Sequence, residues 1–459
     1  MDKNSEYLAI SPIDGRYRGQ LEKLADYFSE KALFYYRTKV EIFYLIALSN
    51  ESKIKELKRF TPQERKFLEN IYLKFSTADV EKIKDFEKVT KHDMKAVEYF
   101  IKDKIKNSRL PRLKKSTEFI HFCLTSEDVN NLAYSLMLKK GVNNVYVPVL
   151  EDLIKKLLVK ARKYKKAAML SRTHGQPATP TTFGKELAVF VARLRRQENI
   201  LRNIRLLGKF NGATGNWAAH KAAYPDVNWP FLSKHLIQSL ELEQNLFTTQ
   251  IESHDSAAEM YDTLRRINNI ILDFDQDMWM YISRDLLSQK SKKGEVGSST
   301  MPHKTNPINF ENSEGNLQIA NTYLAFLSDK LMKSRMQRDL SDSTVLRNQG
   351  MAVAHSLLGI KSTVAGLNKI EVNKQKMVDE INDNPEVLAE AIQVVMRKAG
   401  VDEPYEKLKE LTKGKEVTME TIYEFVDTLD IPSAEKTKLK KLKPENYYGL
   451  SEQIVNWIK

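Results

Sequence analysis

"MYDTLRRINNIILDFDQDMWMY", residues 260–281, decides the fold class. Met260, Leu264, Ile267, Ile271, Phe274, Met278 and Tyr281 recur at alternating steps of four and three. Such spacing returns to one face of a helix with about 3.6 residues per turn. The rhythm recurs at Leu150, Ile154, Leu157, Ala161 and Tyr164 and at Val353, Leu357, Ile360, Val364 and Leu367, and Ile319, Tyr323, Phe326 and Leu331 form another apolar stripe. No comparable set of alternating β-branched runs accompanies it. The expectation is an all-α chain whose long helices pack near +20° as a bundle.

Working outward, the breaks divide the chain. "SRLPRL" (108–113) interrupts the first helical region, and after "GLNKIEVNK" (366–374) the turn signals "DNP", "DEP" and "IPS" begin. Three helical domains are therefore expected: 1–112, a central long-helix bundle at 113–369, and 370–459. No fixed-period repeat or low-complexity tract is present. The central seams exceed what one copy is expected to cover, so self-association is expected as well.

Composition narrows the class. With 459 residues, 42% hydrophobic and 29% charged, the chain suits a soluble globular protein that can bury a large core. No apolar run reaches the roughly 18 residues of a membrane span. "MDKNSEYLAISPIDGRY" lacks the basic and apolar regions of a secretory signal. A lone cysteine, Cys123, excludes an intrachain disulfide and fits a reducing cytoplasm. The net charge of +13 suits a polyanionic partner, but aromatics do not interleave with the basic residues as single-strand binding requires. Basic runs such as "AEKTKLKKLK" (434–443) read as solvated helix faces.

Four clusters depart from a core-and-surface pattern. In "TKHDMKAVEYF", His92 stands beside Asp93, whose carboxylate could fix the imidazole tautomer. In "HFCLTSEDVNN" (121–131), Thr125, Ser126, Glu127 and Asp128 read as an N-cap with acids in the first turn, which is also a ready anion site. In "LSRTHGQPATPTTFGKE" (170–186), Arg172, Thr173, His174 and Gln176 crowd against a glycine and prolines just before a helix, where His174 would be held stiffly. In "KKGEVGSSTMPHKTNP" (292–307), Gly294 and Gly297 precede Ser298, Ser299 and Thr300, followed by His303, Lys304 and Asn306, the pattern of a mobile lid on a stiff base. There is no CxxC, HExxH, Walker lysine loop, GxGxxG after a strand, or GxSxG elbow. What remains is acid–base chemistry on an anionic substrate with no cofactor or metal.

"GSSTMPHKTNP", "TSED" and "THGQPA", in that order along the chain, resemble the three active-site regions of the fumarase/aspartase superfamily. The resemblance runs from "SPIDGRY" to "PYEKLKELTKGK" and is nearest to the bacterial branch carrying "SSTMPHK" and "FENSEGN". It implies anti β-elimination of fumarate from adenylosuccinate, giving AMP, and from the succinylated carboxamide ribotide SAICAR, giving AICAR. It implies Ser298 as general base and His174 as general acid. Lys304 and Asn306, helped by Ser299, Thr125 and Ser126, would hold the succinyl carboxylates. Arg16, Tyr17, Arg338, Ser343, Thr344 and Arg347 would surround the phosphate, with Val345, Leu346 and Thr305 among the substrate-binding positions. Lys91, His92, Asp93, Gln250 and Asn312 match further substrate contacts. Relatives in this branch commonly carry asparagine where Lys91 stands. The same resemblance implies a homotetramer with sites shared between subunits and a central long-helix core. Another fumarate-releasing lyase, a non-catalytic helical scaffold and a basic nucleic-acid binder are the competing readings.

Overall fold

The computed structural model describes residues 7–290, 301, 304–412 and 417–458. Its longer helices are α1 (Glu30–Asn50), α2 (Pro62–Leu73), α3 (Thr77–Thr90), α4 (Asp93–Lys106), α5 (Ser126–Gly141), α6 (Val147–Lys163), α7 (Phe183–Asn203), α8 (Asp255–Ser283), α9 (Ile308–Leu331) and α10 (Gln349–Lys369). Their starts are written locally. Ser29 accepts from the Ala32 amide at the head of α1, and Thr61 with Glu64 forms a capping box before Pro62 of α2. Ser76 with Asp79 does the same for α3, and Thr125 with Asp128 for α5. Each box satisfies amides that the first helical turn would otherwise leave unpaired.

The seams behave as their periodicity requires, with one exception. Leu150, Ile154, Leu157, Ala161 and Tyr164 are all buried, as are Met260, Leu264, Ile267, Ile271, Phe274 and Met278. On α9 the expected stripe is split instead: Ile319 is 45% exposed and Phe326 52%, Tyr323 is half-buried and Leu331 is buried. The buried face is Leu317, Ala320, Leu324, Leu327 and Leu331. That second series keeps a strict three-and-four rhythm through Leu331, and Ile319 and Phe326 mark a second apolar patch that the described residues leave exposed.

The chain forms two compact units. One comprises Met1–Leu150, Gln197–Asn269 and Gly315–Gly359; the other comprises Glu151–Arg196, Ile270–Glu314 and Ile360–Lys459. In the first, Tyr44 of α1 donates to the Phe122 carbonyl at 2.9 Å and stacks edge-on against Phe210 at 4.8 Å. In the second, Leu388, Ile392, Met396, Ile422, Val426 and Leu439 form a C-terminal core, each fully buried aliphatic contributing about 1.5–3 kcal/mol.

The described residues are mainly helical, as the seams led one to expect, with a few short strands. The described residues include three two-stranded sheets: β1 (Ala168–Thr173) with β2 (Gln176–Thr182), β3 (Leu207–Gly208) with β4 (Glu243–Gln244), and β5 (Leu287–Gln289) with β6 (Ile370–Val372). The segment at 170–186 is therefore an antiparallel hairpin and not a simple loop before a helix. Thr173 pairs with Gln176, leaving His174 and Gly175 as the turn. Their φ angles of 55° and 78° are both left-handed, as a two-residue turn must be to match strand twist. Ala168 and Leu170 pack on Ile381 and Val387, which anchors the hairpin to the C-terminal segment. Beyond β2, a Cβ on Gly184 would lie 2.4 Å from the Ala161 carbonyl oxygen and 2.5 Å from Lys165 Cα. Only glycine lets α7 begin that close to the end of α6. No helix among the described residues is long and apolar enough to cross a membrane.

Candidate active site

In the second unit the hairpin presents His174 exposed at its tip. Arg172 braces the turn, donating to the Gly175 carbonyl at 3.0 Å and to Glu380 at 2.6 Å. Arg284 also pairs with Glu380. On β2, Thr179 donates to Glu390 at 2.6 Å, and that carboxylate accepts from Tyr447 as well. The imidazole thus sits on a backbone fixed at both strands. Thr305 offers its carbonyl to Gln289 at 3.1 Å, Lys304 is exposed, and Asn312 accepts from Ser362 at 2.7 Å. Gly294, Gly297, Ser298, Ser299, Thr300 and His303 lie outside the described residues, so the expected lid does too.

In the first unit the structure gathers Asp93, Ser343 and Arg347. Arg347 reaches Asp93 Oδ2 at 3.2 Å and donates to Ser343 Oγ at 3.0 Å. Buried Arg37 takes the same Asp93 oxygen at 2.9 Å. Burial alone would raise the Asp93 pKa, but Arg37, the Met94 amide and Arg347 together hold it below the usual carboxylate range. A cavity of about 180 Å³ adjoins this group, lined by Phe34, Arg37, Asp93, Tyr134 and Arg347. Val345 and Leu346 are buried and have apolar side chains, so only their backbones could meet a polar ligand.

His92 corrects the tautomer expectation. Its Nδ1 accepts from the Lys95 amide at 3.2 Å as the N-cap of α4, and lies 3.9 Å from Asp93 Oδ1. The backbone therefore fixes the ring, while Asp93 turns to the arginines. Lys91 closes α3 in the left-handed region at φ 53°. Arg16 lies over the Tyr17 ring at 5.9 Å.

The head of α5 holds more than a cap. Asp128 is fully buried and forms an ion pair with equally buried Lys209 at 3.0 Å. The same Asp128 oxygen accepts from the Asn211 and Gly212 amides, and its other oxygen from Thr125. Lys209 donates in turn to the Gly212 and Gln250 carbonyls, each at 2.8 Å. Thr125, Ser126 and Gln250 are thereby tied into one frame. Glu127 is also buried, 3.2 Å from Arg338, whose Nε is 3.3 Å from Asp342. Burial pushes Glu127 up to about 7, with Arg338 only partly offsetting it. Sequence reasoning missed Arg37, Lys209, His254 and Asp342. Asp342 lies between the candidates Arg338 and Ser343, and His254 lies four residues after the candidate Gln250; nothing in "LGKFNG" announces a buried lysine.

The described geometry offers a caged helix N-terminus with two hydroxyls, arginines held by carboxylates, and an imidazole on a stiff turn. Comparison with known proteins gives this set a family. A family model described as "Lyase" matches residues 15–320, and one described as "Adenylosuccinate lyase C-terminal" matches residues 334–448. The adenylosuccinate lyase of Haemophilus influenzae is 49% identical over 451 residues, covering 98% of both chains. The chain belongs to the adenylosuccinate lyase family. The Escherichia coli K12 adenylosuccinate lyase is 48% identical, with 99% of each chain covered. In fold, this adenylosuccinate lyase family member is similar to a fumarate lyase from Mesorhizobium sp. BNC1, with a TM-score of 0.74, 18% identity and 95% and 96% of the two chains covered. As a family member the chain is a lyase.

Proposed function

We propose that the chain eliminates fumarate from adenylosuccinate to give AMP, and from SAICAR to give AICAR. The observation that carries this reading is the 49% identity to the H. influenzae enzyme across 98% of both chains. A base removes a proton from the succinyl Cβ, the electron pair forms the fumarate double bond, and the Cα–N bond breaks as an acid protonates the departing nitrogen. Ser298 is the proposed base and His174 the proposed acid. The braced His–Gly turn supports the second role, because a positioned acid keeps its geometry through the proton transfer.

Lys304, Thr305, Asn306, Ser299, Thr125 and Ser126 bind the succinyl carboxylates, where cationic and helix-terminal partners stabilise the carbanion as it forms. Arg16, Tyr17, Arg338, Ser343, Thr344 and Arg347 surround the phosphate, which an arginine fork suits in shape and charge. Backbone groups of Val345 and Leu346 complete that run, with Lys91, His92, Asp93, Gln250 and Asn312 as further substrate contacts. The working form is a cytoplasmic homotetramer, its domains at 1–112, 113–369 and 370–459 and its sites shared between copies. The exposed apolar patch on α9 supports self-association. Adenylosuccinate turnover followed by absorbance in wild type, Ser298→Ala and His174→Ala tests the chemistry. Both variants should lose turnover by at least about a hundredfold, and near-normal rates in either would overturn its role.

A further inference from the structure

Arg338 is one of the proposed phosphate ligands, yet its side chain is only 14% exposed and lies between two buried carboxylates. Nη2 reaches Glu127 Oε2 at 3.2 Å and Asp342 Oδ1 at 3.4 Å, and Nε approaches Asp342 Oδ2 at 3.3 Å. The two carboxylates come from different parts of the chain, the first turn of α5 and the short helix Ser341–Leu346. We propose that Glu127 and Asp342 are positioning residues that clamp Arg338 in the one orientation in which its guanidinium meets an oxygen of the substrate phosphate.

This deepens the proposed function and rests on its phosphate assignment. An unrestrained arginine loses rotamer freedom when it binds an anion; one already held by two carboxylates has lost it on folding. The clamp also resolves an electrostatic problem. Two ionised carboxylates beside the site would repel a phosphate, but burial moves Glu127 up to about 7, so the cluster carries less negative charge than its formula suggests. Lys209 and a hydrogen bond with Asn130 also favour the charged form of Glu127, and Glu252, Asp342, Asp255 and Arg338 act on His254. His254 is nearly fully buried and its Nε2 has no hydrogen-bond partner among the described residues. Glu127, His254 and Asp342 offer ligand atoms within 4.8 Å of one another, a spacing a metal ion could use. The Arg338 guanidinium already supplies the positive charge there.

The test compares inhibition of the assembled enzyme by AMP, which carries the phosphate, and by adenosine, which lacks it. Glu127→Ala should raise the AMP inhibition constant about tenfold and leave that of adenosine within about twofold. Glu127→Gln keeps an acceptor oxygen and should cost AMP only about threefold, and nothing further in an Arg338→Ala background. That cycle carries the test if Glu127→Ala does not fold. Equal losses for AMP and adenosine would reduce Glu127 to a structural role and overturn the inference. So would an unchanged AMP constant in Glu127→Ala while Arg338→Ala weakens AMP. If Arg338→Ala itself leaves AMP unaffected, the phosphate assignment is what fails, and the clamp falls with it.

Discussion

Lys209 Nζ lies 3.0 Å from Asp128 Oδ1 with both side chains wholly removed from solvent. Removing one partner strands a buried charge. Lys209→Met should cost about 3–5 kcal/mol, read as a shift of the urea midpoint. Replacing both partners with apolar residues should cost less than Asp128→Leu alone. If the double variant is the worse of the two, the pair contributes through packing and not through charge compensation.

His174 combines a chemical role with a left-handed φ of 55°. Asparagine tolerates that backbone and a β-branched residue does not. His174→Asn should therefore keep near-wild-type stability and still lose at least about a hundredfold in turnover. His174→Val should lose both, with about 1–2 kcal/mol of strain at the turn. Equal stability of the two variants by denaturant titration would contradict the turn geometry.

Lys91 ends α3 at φ 53° and is exposed. The side chain has no burial to compensate the left-handed conformation. Lys91→Asn should stabilise the protein by about 0.5 kcal/mol. A loss of stability would mean that the lysine makes an interaction the backbone strain is serving.

His121 Nδ1 sits 2.6 Å from buried Glu41 Oε1. Burial pulls the imidazole pKa down, but the Glu41 charge and hydrogen bond outweigh it, and the net shift is upward. A raised folded value means stability that is complete below the unfolded histidine pKa, about 6.5, and lost as pH climbs through the folded one. The gap in urea midpoint between wild type and Glu41→Gln should be widest near pH 6 and narrow by pH 9. A gap that widens with pH would reverse the sign and remove the ion pair as its cause.

The outward face of α9 gives the assembly proposal a handle. Phe326→Glu should leave the monomer's fold intact, because the ring is 52% exposed. It should shift sedimentation toward smaller species. An unchanged assembly would place the contact elsewhere.

Helices α6 and α8 were legible because one apolar face dominates each of them, and α10 because its seam is mostly buried along with the faces beside it. On α9 a buried seam and an exposed apolar patch share one helix, and periodicity alone has no means of choosing which one its own chain covers. The hairpin escaped notice because "THGQPATPTT" has no apolar–polar alternation and His–Gly is a poor advertisement for a turn that usually reads Asn–Gly. Thr125, Ser126 and His174 were visible as local clusters. Lys209 and Arg37 were not, since each is defined by a partner far away in sequence: Asp128 for one, Asp93 for the other.

Asp128 ties the Thr125, Asn211 and Gly212 amides to one carboxylate. A growth screen of random variants would consequently score Asp128 and Lys209 alongside the reacting groups, though neither need ever meet a ligand. Sorting such hits by whether cold, concentrated protein regains turnover would separate the keystone from the tools it holds in place.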